Sequence, residues 1–221
     1  MPSSSNWLPK RRFSLGFALL LLVVARAGAA EADVTVTDEK GRPVAGAVVT
    51  FTPEAGAPRV APKVVEIVQA DRRFEPELTI VPVGSHVKFP NRDEVAHHVY
   101  SFSEAKKFDI PLYSGEAPAD VVFDRPGVVT LGCNIHDWMV AYVFVTATPF
   151  TAVSREDGRV VLRGLPAGKG TIEVWHPRLR GAPARLDAVA GQTVPPVALR
   201  LRPDFRRRQA PAAGGDGGPY R

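Results

Sequence analysis

Cysteine and methionine are scarce in this chain of 221 residues, which contains one Cys and two Met. A single thiol cannot close an internal disulfide, and it excludes both the Cys-x-x-Cys-His attachment of c-type haem and a dinuclear electron-transfer site with two cysteines. We also find no Ser–His–Asp set, phosphate-binding glycine loop or paired-carboxylate motif in a credible context. The sequence therefore predicts a protein that is not an enzyme.

Long helical patterns are absent beyond residue 30. The chain instead contains short runs of Val, Ile, Thr, Phe and Tyr, such as Val99–Phe102 and Thr171–Trp175, separated by Gly, Pro and Asp. This spacing predicts an all-β fold built from antiparallel sandwiches or barrels. With roughly 170 residues between the first 30 and the C-terminal tail, two small domains fit better than one large sandwich.

The N-terminus has the features of an export signal. A basic segment at 10–12 precedes an almost wholly apolar run at 13–24 and small residues at 27–30. We predict that residues 1–30 are a cleaved signal peptide and that the mature protein is periplasmic, without stable membrane insertion. The apolar run is shorter than the roughly 20 residues of a membrane span, so an uncleaved anchor is the lesser alternative. Sec export is favoured over the twin-arginine route, although Arg11–Arg12 leaves the second open.

The net charge of +5 comes largely from the two ends of the chain. Residues 1–30 contain four of the 28 basic residues and no acidic one. A second basic group, Arg206–Arg208, lies in residues 204–221, which are too polar and too rich in Gly and Pro to bury a core, so we predict a disordered tail. The basic charge therefore does not indicate binding to nucleic acid.

Two distant segments share the features of one small sandwich. Residues 33–51 contain a strand, an Asp-x-x-Gly turn, a Pro and a Val-rich strand, and residues 155–176 contain an Asp-Gly turn, a strand, a Leu-Pro-x-Gly turn and a strand. Together they resemble the carboxypeptidase-regulatory-like (transthyretin-like) β-sandwich, of which residues 33–51 would be the opening hairpin. The resemblance implies a smaller, Ig-like sandwich made of residues 33–56 and 147–203, split by a domain inserted at 57–146. Alternatively, residues 33–52 belong to the sheet of that central domain.

Three potential metal ligands follow one another at three-residue spacing: Cys133, His136 and Met139. Cys133 and His136 lie between strand-like runs at 128–131 and 139–145, and Met139 begins the second run. A tight turn between paired strands would aim all three side chains at one point. A soft thiolate beside an imidazole and a thioether is a donor set that copper selects. A further His from elsewhere in the chain would complete such a site.

Two adjacent histidines, His97 and His98, are the candidates for this further ligand. Strand alternation would place His98 on one face with Tyr100 and Phe102, whereas a loop residue need not follow that alternation. His86 lies in the middle of a predicted strand, where we expect a half-buried structural residue. His176 precedes a Pro in another strand, where we expect a packing or surface role.

Five sequence elements, in their order along the chain, resemble a cupredoxin (blue copper protein). They are Phe74-Glu-Pro, the run 83–91, the His97–His98 pair, Pro126-Gly and the segment 133–145. The Cys-x-x-His-x-x-Met loop is the short form found in amicyanins, and residues 91–97 resemble the amicyanin segment that leads to the first His ligand.

This resemblance implies a Greek-key β-sandwich that binds one type 1 copper ion. The implied ligands are His97, Cys133 and His136 with Met139 as a weak axial donor. His98 takes the place at which amicyanins have Asn, and this departure affects the hydrogen bond that the Asn would provide. The spacing from Asn91 favours His97 over His98 as the ligand.

The resemblance also implies a function and partners. It implies a monomeric carrier of single electrons whose redox partner is a c-type cytochrome or an amine dehydrogenase, since amicyanins accept electrons from methylamine dehydrogenase. Partners would dock on an apolar patch around His136 to which Trp138 contributes.

The alternative is copper binding without electron transfer, in storage, delivery or sensing. Met-rich segments would favour that alternative, but one of the two methionines is Met1. Multicopper oxidases need paired His-x-His motifs, which the sequence lacks.

Overall fold

The computed structural model describes residues 30–204. The predicted signal peptide and tail therefore lie, apart from Ala30 and Asp204, outside the described residues. Within residues 30–204 all regular secondary structure is β-strand, so the prediction of an all-β fold is confirmed. This part of the chain contains no helix long and apolar enough to cross a membrane.

Seventeen strands follow one another in the described part of the chain. They are β1 (Ala30–Asp38), β2 (Val48–Pro53), β3 (Val64–Glu66), β4 (Val68–Ala70), β5 (Arg73–Glu75), β6 (Leu78–Pro82), β7 (Ser85–Lys88), β8 (His97–Ser103), β9 (Lys106–Tyr113), β10 (Val121–Phe123), β11 (Gly127–Gly132), β12 (Val140–Thr146), β13 (Thr151–Val153), β14 (Arg159–Leu165), β15 (Lys169–Trp175), β16 (Ala184–Val189) and β17 (Val197–Leu199).

Strands β3 to β12 form a Greek-key sandwich that we call the central sandwich (residues 64–146). Its sheets have the strand orders β10-β7-β3 and β6-β12-β11-β8-β9, and β4 and β5 form a separate hairpin. Phe89, Phe123 and Leu131 are fully buried between the sheets. Burial of each such side chain stabilises the fold by about 1.5–3 kcal/mol.

The remaining strands form the flanking sandwich (residues 30–53 and 151–199). Its sheets have the orders β14-β1-β17 and β13-β2-β15-β16, and they enclose a second apolar core that includes Phe51, Leu162 and Ile172. The chain thus leaves this pair of sheets after β2 and returns to it at β13.

Strand β12 is buried on both faces, which explains its nearly continuous apolar sequence. Val143 and Val145 belong to the core of the central sandwich. On the opposite face, Tyr142 and Phe144 pack against Trp175 of the flanking sandwich at ring-centroid distances of 5.4 and 5.8 Å. The two sandwiches therefore share an apolar contact.

Strands β1 and β2 do not form the hairpin that the sequence pattern suggests. The turn is present, since the amide of Val44 donates to the carbonyl of Val36 at 3.0 Å and Gly41 has φ 74°. However, β1 pairs with β14 and β17, whereas β2 pairs with β13 and β15. Both strands carry Val on the face toward the same core. In opposite sheets the two strands cover that core from its two sides, so the Val side chains of both are buried.

Candidate metal centre

The loop between β11 and β12 carries three of the predicted ligands. These strands are antiparallel neighbours with Gly132 opposite Val140, as the sequence predicts, so the loop reverses the chain within a few residues. Inside it the amide of Met139 donates to the carbonyl of His136 at 2.9 Å. Cys133 and Met139, 3% and 1% exposed, both belong to the core of the central sandwich.

A close approach of β8 accounts for the glycine before Cys133. A Cβ atom on Gly132 would lie 2.8 Å from Cζ of Tyr100, which is closer than van der Waals contact allows. These two residues face each other in the β8–β11 pair. The start of β8 is therefore held against the end of β11, next to Cys133.

His97 reaches the same point from the other side, as the first residue of β8. The preceding loop is ordered by the buried Asn91, whose Nδ2 donates to the carbonyls of Val95 and Tyr113, each at 2.9 Å. Its Oδ1 accepts the amide of Asp93 at 3.0 Å. A single amide side chain thus satisfies much of the loop backbone.

The structure brings His97, Cys133 and His136 together, with one potential ligand atom of each within 4.8 Å of the others. Sγ of Cys133 lies 3.9 Å from Nδ1 of His136, and the two imidazole rings have centroids 5.0 Å apart. His97 and Cys133 are buried, whereas His136 is partly exposed. Two imidazoles and one thiolate at this separation form a three-donor set for a soft metal ion.

The two ring nitrogens of His97 differ in their surroundings. Nε2 donates to Oδ2 of Asp93 at 2.6 Å, whereas Nδ1 is buried and has no hydrogen-bond partner among the described residues. A carboxylate on Nε2 fixes the tautomer whose lone pair is on Nδ1. The orphaned buried nitrogen beside a thiol therefore fits a metal ligand.

Electrostatics also favour a thiolate at this point. Burial raises the pKa of the Cys133 thiol, but the His97 side chain and the backbone N–H groups of His98, Ile135 and His136 outweigh burial and lower that pKa below its ordinary value. Burial, together with the positive charges of His97 and Arg72, lowers the pKa of His136. Both shifts favour the deprotonated form that a metal ion requires.

His97 and Asp93 shift each other's pKa in opposite directions. Burial lowers the pKa of His97, but Cys133 and Asp93 outweigh burial and raise that pKa. Burial likewise opposes ionisation of Asp93, yet the hydrogen bonds from His97 and two backbone amides lower the pKa of this carboxyl group. A metal ion at Nδ1 would therefore compete with a proton.

His98 points elsewhere. Its Nε2 contacts Oδ1 of Asp109 at 2.8 Å, and its ring packs on Tyr100 with centroids 5.3 Å apart. Tyr100 and Phe102 continue this row of rings, so the predicted alternation along β8 holds, but the row lies outside the cluster. The backbone amide of His98, and not its side chain, contributes to the thiol environment.

The two other described histidines lie outside the cluster. His86 in β7 is more exposed than expected, with 48% of its side chain accessible and Asp120 at 3.9 Å. His176 is buried in the flanking sandwich, where Nε2 donates to the carbonyl of Ala45 at 3.2 Å and Nδ1 accepts the amide of Arg178 at 3.0 Å. Both of its nitrogens are satisfied, so it has a structural role.

Trp138 lies beside the exposed edge of the site. Its ring is 5.1 Å from the ring of His136, and Nε1 donates to the carbonyl of Arg72 at 3.0 Å. Ile135, 42% exposed, lies in the same loop. The partly exposed imidazole therefore packs against one aromatic ring, with an exposed Ile as its neighbour in sequence.

Sequence reasoning missed Asp93. Its position four residues before His97 was visible, but in a loop such spacing implies no contact, unlike in a helix. The only available signal was its place two residues after Asn91, in a segment already assigned to the candidate ligand.

No protein-family model matches this chain, and no curated protein matches it. Among solved structures, a purple cupredoxin from Nitrosopumilus maritimus is 25% identical, with 39% of this chain and 100% of that chain covered at a TM-score of 0.33. An amicyanin variant in its reduced Cu(I) form is 22% identical, with 44% and 98% covered at a TM-score of 0.35.

A copper-containing nitrite reductase from Thermus scotoductus is also similar, at 22% identity and a TM-score of 0.35. This match covers 51% of the present chain but 28% of the reductase. Because all three TM-scores are below 0.5, any functional argument rests on the residues of the site.

Proposed function

We propose that the chain binds one type 1 copper ion and carries single electrons. The ligands are His97, Cys133 and His136, with the thioether of Met139 as a weak axial donor. Two imidazoles and a thiolate in a trigonal set with a long axial Met are the pattern of blue-copper electron-transfer sites. The function is that of a carrier and not of an enzyme.

One observation supports the proposal more than any other: Nδ1 of His97 is buried without a hydrogen-bond partner, in a cluster with a thiol and a second imidazole. An unsatisfied buried polar atom is costly, by about 1–3 kcal/mol, so it calls for an explanation. A metal ion supplies that explanation because it would bind this lone pair.

The residues around the site would keep the change in ligand geometry between Cu(I) and Cu(II) small. A bound copper ion supplies the one-electron couple. Cys133 and Met139 are held in the core of the central sandwich, and Asp93 orients His97. Backbone N–H groups near the sulfur stabilise its negative charge and thereby tune the potential. His136 is partly exposed, so it offers the shortest route between the site and a partner.

We further propose that the protein is exported to the periplasm and acts there as a monomer. Its redox partner would be a c-type cytochrome or an amine dehydrogenase. We expect a small, transient interface at the apolar surface formed by Ile135, His136 and Trp138. We do not propose a nucleic acid or a membrane as a partner.

We also propose that the central sandwich is a domain inserted into the flanking one. Two separate apolar cores and sheets that do not mix strands across the boundary support this division. The apolar contact of Trp175 with β12 would then orient the copper domain.

The test is the visible spectrum of the copper-loaded protein. We expect an intense thiolate-to-copper charge-transfer band and reversible one-electron voltammetry. Cys133→Ser should abolish the band, whereas His98→Asn should retain it because the His98 side chain lies outside the cluster. A colourless Cu(II) complex of the wild type would contradict electron transfer and favour non-redox copper binding.

A further inference from the structure

The tip of the β4–β5 hairpin has an unusual backbone. Asp71 and Arg72 connect the two strands in a two-residue turn, and both have positive φ angles, of 51° and 56°. A turn of this kind favours Asn-Gly, because side chains with a Cβ atom are disfavoured in the left-handed region. Two such residues together persist only where the surroundings hold them, and such positions cluster at functional sites.

One carboxylate holds this tip in place. Oδ1 of Asp93 accepts the amide of Asp71 at 2.7 Å, and Oδ2 accepts the amide of Arg72 at 2.9 Å. The same Oδ2 accepts Nε2–H of His97 at 2.6 Å. The Asp93 side chain is 14% exposed, so these bonds are largely shielded from water. The conformation of the tip and the orientation of His97 therefore depend on the same group.

The other side of the tip reaches the second imidazole. The carbonyl of Arg72 accepts Nε1–H of Trp138 at 3.0 Å. The Trp138 ring in turn packs against His136, with centroids 5.1 Å apart. A continuous chain of contacts thus runs from one imidazole of the cluster through the hairpin tip to the other.

We propose that Asp71, Arg72, Asp93 and Trp138, the hairpin-tip unit, act together as positioning residues that hold His97 and His136 at a fixed separation. This inference rests on the proposed copper site and deepens it. His97 begins β8, whereas His136 lies in the loop between β11 and β12, so the two rings are carried by different parts of the chain. Because both rings are connected to the same turn, a change at Asp93 also displaces His136. A change at Trp138 likewise displaces His97.

A double-mutant cycle on Cu(I) affinity tests this coupling in the full-length protein. Asp93→Asn leaves one acceptor oxygen and offers an NH₂ group to Nε2, which favours the wrong His97 tautomer. Trp138→Phe keeps a ring against His136 and removes the N–H. We expect a loss of about 10–100-fold for Asp93→Asn, the range typical of such outer partners, and a smaller loss for Trp138→Phe.

The decisive value is the affinity of the double variant. If the residues of the hairpin-tip unit act together, the double variant binds Cu(I) no more weakly than Asp93→Asn alone. If the two losses multiply, each residue acts by itself and the proposal is wrong. Asp109→Asn and Trp175→Phe are matched controls, because they make the same chemical changes at His98 and at the contact between the sandwiches.

Hydrogen exchange in the metal-free protein provides a measurement that does not depend on copper. Trp138→Phe should accelerate exchange of the Asp71 and Arg72 amides while leaving amides of the flanking sandwich unchanged. Unchanged exchange at the tip would overturn the proposal, even where Asp93→Asn fails to fold. If wild-type Cu(II) protein lacks the charge-transfer band, the proposed function fails, whereas normal colour with unchanged exchange rejects the hairpin-tip unit alone.

Discussion

The central and flanking sandwiches differ in how they satisfy their buried histidines. In the flanking sandwich, His176 uses both ring nitrogens, with the carbonyl of Ala45 and the amide of Arg178 as partners. In the central sandwich, His97 bonds through Nε2 alone and leaves Nδ1 buried without a partner. Because nearly all buried polar groups are hydrogen-bonded, this difference separates a structural histidine from a candidate ligand.

The same contrast extends to other buried polar side chains. Ser154 of the flanking sandwich accepts the amide of Ala47 and donates to the carbonyl of Val44. Among residues 30–204, all the buried side-chain nitrogen and oxygen atoms without a hydrogen-bond partner belong to the central sandwich; they are in Gln69, Thr79, His97 and His98. His98 shows that a missing hydrogen-bond partner is not sufficient by itself. A buried nitrogen without a partner indicates a metal ligand only where other donor atoms lie close to it.

The strongest test of this difference between the two histidines is the same substitution in both sandwiches. His97→Gln should abolish the thiolate-to-copper charge-transfer band, since the trigonal set needs two imidazoles. His176→Gln should retain the band and lower the free energy of unfolding of the metal-free protein by about 1–3 kcal/mol, because it removes partners of buried backbone groups. Visible absorption and denaturant titration measure the two effects, and a coloured His97→Gln protein would contradict the assignment.

Sequence reasoning reached those parts of the site that depend on local spacing. A loop between adjacent antiparallel strands leaves little freedom to Cys133 and His136, so their proximity could be inferred from their three-residue spacing. The all-β fold followed from runs that alternate in polarity, as in β11, where Val129 and Leu131 are buried and Thr130 is exposed. Both inferences use interactions between near neighbours in sequence.

Features that depend on distant partners could not be inferred in this way. The alternation in β1 identifies its buried face but not the strand that pairs with it, so the expected hairpin with β2 was wrong. The role of Asp93 depends on a turn more than twenty residues away, at Arg72. The exposure of His86 likewise depends on its position in the β10-β7-β3 sheet, next to Asp120.

The stability of the protein should also depend on pH through His176. Burial, reinforced by the charge of Arg178, lowers the pKa of His176 to about 4. Its ordinary value is 6.5, so between pH 6.5 and 4 the unfolded chain binds more protons than the folded one. The stability that the neutral ring contributes is present above pH 6.5 and is lost as the pH falls toward 4, by about 3 kcal/mol in all.

The measurement is the free energy of unfolding at several pH values for the wild type and His176→Gln. Carboxyl groups titrate in both proteins, so the difference between the two curves isolates the histidine. We expect the wild type to lose its advantage as the pH falls. A difference that stays constant from pH 7 to pH 4 would mean that His176 protonates in the folded protein as readily as in the unfolded chain.

The smallest expected effect concerns Met139, which the proposal treats as a weak ligand. Met139→Leu keeps a buried apolar side chain of similar volume, so the fold should change little, by less than about 1.5 kcal/mol. Loss of the axial sulfur removes a donor to Cu(II), and we expect the reduction potential to rise by about 59 mV for each tenfold gain in preference for Cu(I). Voltammetry measures the shift, and the charge-transfer band should persist because the three strong ligands remain. Loss of copper from Met139→Leu would show that the thioether is a principal ligand, and an unchanged potential would show that it is none.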